Sequence, residues 1–271
     1  MRRQTPVWFH VDVNSAFLSW SALKALREGG AVDLRTIPAV VGGDEEKRHG
    51  VVLAKSLPAK QYGIRTGESL FAARAKCPDI TVVPPDFDWY VQNSKALIRI
   101  LNDYSPDVEQ YSIDEAFLDM TGTEPLFGPP LAVARALGDR VRDTLGFTVN
   151  IGVAPNRLLA KMASDFEKPD KVHRLYPEDL PARFWPLPAG ALFGVGPSAA
   201  RQLSEIGIWT IGDLAHAVIQ VLSFTNSLTL FNTSCSVLLS NAENVSSNII
   251  ILLLFKNALD ITTLCFCPPD K

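Results

Sequence analysis

Residues 111–119 read YSIDEAFLD, an apolar strand pattern with two adjacent carboxylates, Asp114 and Glu115, at its centre. Few arrangements tolerate that. In a regular strand consecutive side chains point to opposite faces, so one acid is driven into the core, where an unpaired charge is costly. A hairpin resolves the conflict. With 107–113 and 115–120 as paired strands, both acids sit at or just after the turn, and a turn or bulge lets them converge on one site. Asp12 has the same setting in FHVDVNS, at the end of an apolar strand and just before a helix. Two such strand ends can lie side by side in one sheet. Three hard oxygen donors so gathered suit Mg²⁺, which needs few protein ligands when substrate phosphates complete its shell. Alternatively, the three are exposed turn residues.

The surrounding pattern is that of an α+β sheet layer. PVWFHVDV (6–13) predicts a buried strand, and SAFLSWSALKALREGG (15–30) a helix capped by Asn14 or Ser15 and stopped by glycine. Short strands are expected at 38–42 and 51–54, helical turns at 56–62 and 68–76, and a strand at ITVVP leading into a long helix over about 86–104. After the hairpin come a helix at 129–145, a strand at 147–154 and a helix beginning at Asn156. Further on, LFGVGPSAARQLSEIGIWTIGDLA (192–215) suggests helix, Gly-x-Gly turn and helix, with Pro197 just inside the second helix.

The chain changes character near residue 217. All but five of its charged residues precede that point, the exceptions being Glu243, Lys256, Asp260, Asp270 and Lys271. The segment 218–271 has no Gly or Arg, is rich in Ser, Asn, Leu and Ile, and holds three of the four cysteines. It reads as foreign to what precedes it, as a fused or frameshifted frame would be. Its CFC (265–267) lacks a second Cys/His pair at ligand spacing, so it does not make a metal site. With Cys77 the only earlier cysteine, no disulfide framework points to secretion. The longest apolar run, NIIILLLF (248–255), is far below the roughly 18 residues of a membrane span. A cytoplasmic protein without a membrane partner is expected. The net charge of −3 means that a polyanionic partner requires Lys and Arg gathered on one face.

HVDVNSAF, YSIDEAFLD and VNIGVAPNRLLAKMASDFEKPD occur in that order, and together they resemble the palm of Y-family (UmuC/DinB-type) lesion-bypass DNA polymerases. The likeness runs from about Val7 to Ala217. It implies a palm formed by 1–19 and 86–170 with a mixed β-sheet and flanking helices, small fingers over 20–85, and a helical thumb over 171–217 with a helix-hairpin-helix. It further implies two-metal nucleotidyl transfer from dNTPs onto a primer-template DNA. Asp12, Asp114 and Glu115, with the main-chain carbonyl of Val13, would hold two Mg²⁺ ions about 4 Å apart, whose charge offsets the acids' mutual repulsion.

In the resembled family an aromatic at the position of Phe17 packs against the sugar and excludes a 2′-hydroxyl; otherwise Phe17 is a core residue of its helix. Lys161 matches the family's triphosphate lysine, although a helical lysine is commonly just a solvated charge. Lys60 falls where the family often has an arginine reaching the phosphates. Leu57 and Ala54 replace its familiar tyrosine and threonine, and Lys55 compensates as a second point charge. Gly194, Gly196 and Ser198 would bring main-chain N–H groups to a DNA phosphate at a helix N-terminus; an ordinary helical hairpin is the alternative. GGDEE (42–46) resembles a diguanylate cyclase signature but stands alone and reads as a polar turn. The expected function is error-prone translesion synthesis. The alternative is a truncated, non-polymerising DNA-binding fragment, since neither a little-finger domain nor the sliding-clamp motif of fuller relatives is recognisable. A template-independent nucleotide cyclase is disfavoured by the thumb-like hairpin.

Overall fold

The computed structural model of the chain describes residues 5–43 and 50–224. The tail beyond Phe224, with its CFC, and residues 44–46 of the GGDEE segment lie outside the described residues. The chain divides into two compact units: residues up to Val153 together with Ala163–Arg174, and Ala154–Met162 together with residues from Leu175 onward.

The first unit opens with β1 (Trp8–Val13) and α1 (Ala16–Arg27). There follow β2 (Ala39–Gly42), β3 (Val52–Lys55), α2 (Leu57–Gln61), α3 (Leu70–Lys76) and β4 (Thr81–Val83). The long α4 (Phe87–Asn102) leads to the hairpin of β5 (Val108–Gln110) and β6 (Glu115–Asp119). A short α5 (Glu124–Phe127), α6 (Pro130–Leu145) and β7 (Val149–Ala154) come next. The chain then passes through α7 (Arg157–Ser164) to β8 (Val172–Arg174).

These strands make two sheets. The larger has the order β5-β6-β1-β7-β8, and β1, at its centre, is buried along all but its first residue. β1 and β6 are antiparallel, with Asp12 opposite Glu115 and His10 opposite Phe117. α4 buries Tyr90, Asn93, Ser94, Leu97, Ile100 and Leu101, the three- and four-residue spacing of one helix face. α6 does the same with Val133, Ala134, Leu137, Gly138 and Val141, and ends on Gly146 in the left-handed region that a glycine C-cap supplies.

The smaller sheet has the order β3-β2-β4, with β2 antiparallel to β3 and parallel to β4. Period-2 alternation along β2 divides two cores. Val40 joins Val52, Ala59, Ile64, Leu70, Ala73, Cys77 and Ile80, whereas Ala39 and Val41 pack with Leu18, Ala22 and Leu34. The sequence gives no hint of the parallel β2–β4 pair, because pairing direction is not a local property.

The second unit contains α8 (Leu180–Arg183), α9 (Pro197–Glu205) and α10 (Ile211–Phe224). In place of a helix leading into the Gly-x-Gly turn there is a single 3₁₀ turn, Ala189–Ala191. Two prolines, 186 and 188, precede it and block continuous helix between α8 and the turn. The turn is tied to the start of α10, with Ala189 N donating to Trp209 O at 2.8 Å and Ile211 N to Leu187 O at 2.9 Å. α10 continues past the compositional break at residue 217.

Candidate active site

The carboxylates are placed by the junctions of β1, β6 and α1. Residues 112–114 form a bend between β5 and β6, so Asp114 leaves the strand alternation while Glu115 opens β6. Val13 N donates to Asp114 O at 3.0 Å, locking the bend against the end of β1. Ser112 Oγ donates to Asp114 Oδ1 at 2.6 Å. Asp12 and Glu115 are direct cross-strand partners, so their side chains share one face of the sheet.

The turn from β1 into α1 is held at Asn14 through both its main chain and its side chain. Asn14 N donates to Thr148 O at 3.0 Å, and Asn14 Nδ2 to Thr148 Oγ1 at 3.1 Å. Between them and the helix, Ser15 takes φ 48°, a left-handed conformation that non-glycine residues adopt only where the surroundings enforce it.

Asp12, Asp114, Val13 and Phe17 line one cavity of about 570 Å³, together with Lys55, Lys60 and Lys168. Acids and lysines therefore face the same space. Asp12 is only 7% exposed, and a charge so nearly buried needs a partner. Lys168 provides it: its ammonium forms a short ion pair with Asp12 and a second at 2.8 Å with Asp165. Burial pulls the Lys168 ammonium down, but the carboxylates of Asp12 and Asp165 outweigh burial and hold it above the ordinary lysine range. In the same cavity, burial and then the neighbouring Lys60 ammonium pull Lys55 below that range, against the attraction of Glu68. Lys55 Nζ also donates to Thr66 Oγ1 at 3.1 Å. Two ammonium groups that repel each other in one cavity are relieved by an anion.

Lys55 ends β3 and Lys60 belongs to α2, and Ser56 between them fixes their spacing. Its buried hydroxyl caps α2 through Ala59 N at 3.1 Å and donates to Ile37 O at 2.7 Å. Phe17 stacks on Tyr90, with ring centroids 4.7 Å apart and an interplanar angle of 11°, while still lining the cavity. It is thus both packed and presented.

Of the residues singled out in the sequence, Asp12, Val13, Phe17, Lys55, Lys60 and Asp114 line the same cavity, and Glu115 stands beside Asp12 in register. Lys161 belongs to the second unit, where it is buried with its ammonium 6.0 Å from the Phe193 ring centroid. Gly194, Gly196 and Ser198 belong to that unit too. Lys168 is the residue that sequence reasoning passed over, although it lies inside the quoted motif MASDFEKPD, one step before a proline. Only its contact with Asp12 distinguishes it from other lysines nearby.

Among the described residues no group of three or more His, Cys, Asp or Glu side chains stands arranged to hold a metal ion. The donor chemistry nevertheless fits a hard divalent cation: carboxylate oxygens from two adjacent strand ends, with the chain's own ammonium supplying the counter-charge on Asp12.

The fold is that of the lesion-bypass polymerases that the sequence resembles. A Y-family DNA polymerase chimera of Dbh and Dpo4 superposes with a TM-score of 0.74 at 24% identity, covering 93% of this chain and 68% of the other. The chain itself belongs to the impB/mucB/samB family, which matches residues 11–165. The protein named DNA polymerase IV of Clostridium acetobutylicum is 52% identical over 217 residues, covering 80% of this chain and 54% of the relative. The protein of the same name from Moorella thermoacetica is 45% identical over 212 residues, covering 78% and 52%. The chain therefore spans about half the length of the curated relatives it matches.

Proposed function

We propose that this chain carries the catalytic part of an error-prone, translesion DNA polymerase that adds dNTPs to a primer 3′-hydroxyl opposite a DNA template. The observation that carries this reading is the shared cavity, lined at once by Asp12 and Asp114, by Lys55, Lys60 and Lys168, and by Phe17. A deoxynucleoside triphosphate needs those three things, namely cation ligands, positive charge for its phosphates and a surface for its sugar.

Asp12, Asp114 and Glu115, with the Val13 main-chain oxygen, would hold two Mg²⁺ ions; when bound, these activate the primer hydroxyl and offset charge on the departing pyrophosphate. The chain's own residues do the rest. Lys55 and Lys60 meet the triphosphate as point charges and settle their mutual repulsion on it. Lys168 neutralises Asp12 whenever no other cation does so, and it supplies a third ammonium to the same space. Lys161 is assigned the triphosphate contact that the family resemblance gives it. Phe17, immobilised against Tyr90, excludes a 2′-hydroxyl by sterics.

In this reading, 1–19 and 86–170 form the palm, 20–85 the fingers and 171–217 the thumb. The thumb turn Gly194–Gly196, followed by Ser198 at the start of α9, meets a DNA phosphate. Gly194 needs its glycine for a φ of 89°. Gly196 does not: its φ is −77°, and among the described residues an added Cβ would meet nothing within 4 Å. Close approach of a ligand to the backbone is a reason for glycine there that packing does not give.

Primer extension with the full chain, Mg²⁺ and a primed template tests the proposal. Extension is expected, and its loss in Asp114→Ala. Equal extension by Asp114→Ala removes the catalytic assignment. A second reading, a DNA-binding fragment that does not polymerise, is favoured by the half-length match to the relatives. It predicts salt-sensitive DNA binding with no extension at any Mg²⁺ concentration.

A further inference from the structure

Behind the carboxylates lies a set of buried polar side chains that the chemistry above leaves unused. His10, on β1, is fully buried. Its Nδ1 lies 2.8 Å from Ser164 Oγ, and its Nε2 lies 3.8 Å from Glu115 Oε2. The ring is tilted against Phe117 at a centroid distance of 4.6 Å. Ser164 ends α7 and is itself anchored: Asn150 Nδ2 donates to Ser164 O at 3.0 Å and to Glu167 O at 2.8 Å. Asn150 Oδ1 accepts from Lys171 N at 3.2 Å. Asn150, Ser164 and His10 are all fully buried.

Three buried polar side chains in succession are costly core material unless each is satisfied, and an apolar set of similar volume would pack as well. Their placement explains their use. His10 precedes Asp12 by two residues on the same strand, so it lies on the face that Asp12 shares with Glu115. One end of the imidazole is held by a fixed hydroxyl, and the other faces a carboxylate.

We propose that His10 is a positioning residue: held through Nδ1 by Ser164, it turns Nε2–H towards Glu115 Oε2, an ion–dipole contact at 3.8 Å rather than a hydrogen bond, and so biases that carboxylate to the orientation that ligates a divalent cation. The inference rests on the reading that Asp12, Asp114 and Glu115 form the cation site. With the Ser164 hydroxyl taken as the donor to Nδ1, the ring proton is left on Nε2. Groups that orient metal ligands in this way typically change metal affinity by 10- to 100-fold when removed.

The test uses Mn²⁺ as probe, titrated into the full chain and followed by its electron paramagnetic resonance, with thermal unfolding in chelator recorded for every variant. His10→Asn keeps an amide near the Ser164 end and loses the group facing Glu115. His10→Gln carries its amide to the Glu115 end. The two lose similar packing. His10→Asn is expected to bind Mn²⁺ about 10- to 100-fold more weakly, and His10→Gln to stay close to wild type. Equal losses in both, or no loss in His10→Asn, overturn the proposal, because a purely structural histidine predicts the same result for either amide. Should His10→Asn fail to fold, Ser164→Ala against Ser164→Thr decides: weakened binding only where the hydroxyl is gone supports the proposal, and equal binding overturns it. A wild-type chain that binds no Mn²⁺ overturns the cation site and this inference together. One that binds Mn²⁺ yet extends no primer overturns the polymerase reading alone, and the variant series still decides the role of His10.

Discussion

The Asp12–Lys168 pair sets the electrostatics of the site one residue at a time. Asp12 is nearly enclosed, while the Lys168 side chain is 36% exposed, so solvent screens the pair from one side. Lys168→Ala is therefore expected to destabilise the chain by about 1–2 kcal/mol in chelator, less than the loss of one partner from a fully buried pair. Added Mg²⁺ should recover more stability in this variant than in wild type, because the cation no longer competes with an ammonium; urea denaturation with and without Mg²⁺ measures both. Since the Lys168 ammonium is held above its ordinary range, its contribution to the pair is fully present at neutral pH and is lost as pH rises through that raised value. Phe17 is expected to act mainly on selectivity. Phe17→Ala should raise ribonucleotide incorporation on the order of 10- to 100-fold, the limit for discrimination by shape against an added hydroxyl, as read by single-nucleotide insertion with paired rNTP and dNTP. Unchanged discrimination assigns Phe17 to the aromatic cluster with Tyr90, Trp20 and Phe87 alone.

Elements here are held by their cores and their ends. β6 supplies Ala116, Phe117 and Leu118 to the interior between its two acids, Glu115 and Asp119. Leu118→Ala should cost about 3 kcal/mol, within the 2–5 kcal/mol typical of buried leucine truncations. Because β6 carries Glu115, Mn²⁺ affinity should weaken as well; unchanged affinity at reduced stability would show that the site does not depend on this core contact. α4 begins at Asp86, which accepts from Trp89 N at 3.0 Å and pairs with Lys24 at 2.6 Å. The Lys24 hydrogen bond first, and then the Trp89 amide, hold this carboxyl below the usual range, against a smaller opposing effect of burial. Its contribution is present above the ordinary carboxylate pKa and is lost as pH falls through the depressed folded value. Asp86→Asn should accordingly flatten the acid side of a melting-temperature profile; an unchanged acid limb contradicts this. The start of α4 near residue 86 was legible in the sequence, whereas the capping role of Asp86 and its pairing with Lys24 appear only in the structure. The Gly-x-Gly turn was legible in part: Pro197 opens α9 as the sequence suggests, but a 3₁₀ turn rather than a helix precedes the glycines.

At the scale of the molecule, the proposed function depends on how the chain would hold DNA. Its net charge is −3, so DNA affinity must come from locally gathered cations, and each phosphate contact made through them adds to the salt dependence. Binding to primer-template is expected to weaken steeply between about 50 and 200 mM salt. Extension should be distributive, with products growing by few nucleotides when a DNA trap is added. Long products in the presence of trap would refute this. Asn150 contributes at the same scale: by holding the main chain at Ser164, Glu167 and Lys171, it fixes the segment that carries both the partner of His10 and the counter-charge of Asp12.

The sequence by itself determined the three acids, because carboxylates inside apolar strands are costly enough to demand a turn and a counter-charge. It also determined most helices and strands, because period and capping are local. Tertiary structure alone decided what surrounds them. The opposition of Asp12 and Glu115 is a register between strands about 100 residues apart in the chain. The counter-charge on Asp12 is a lysine indistinguishable by sequence from its neighbours until the fold places it there. The His10–Ser164 contact spans a separation of 154 residues. Such contacts depend on where the backbone brings side chains together in space, and no local pattern encodes that.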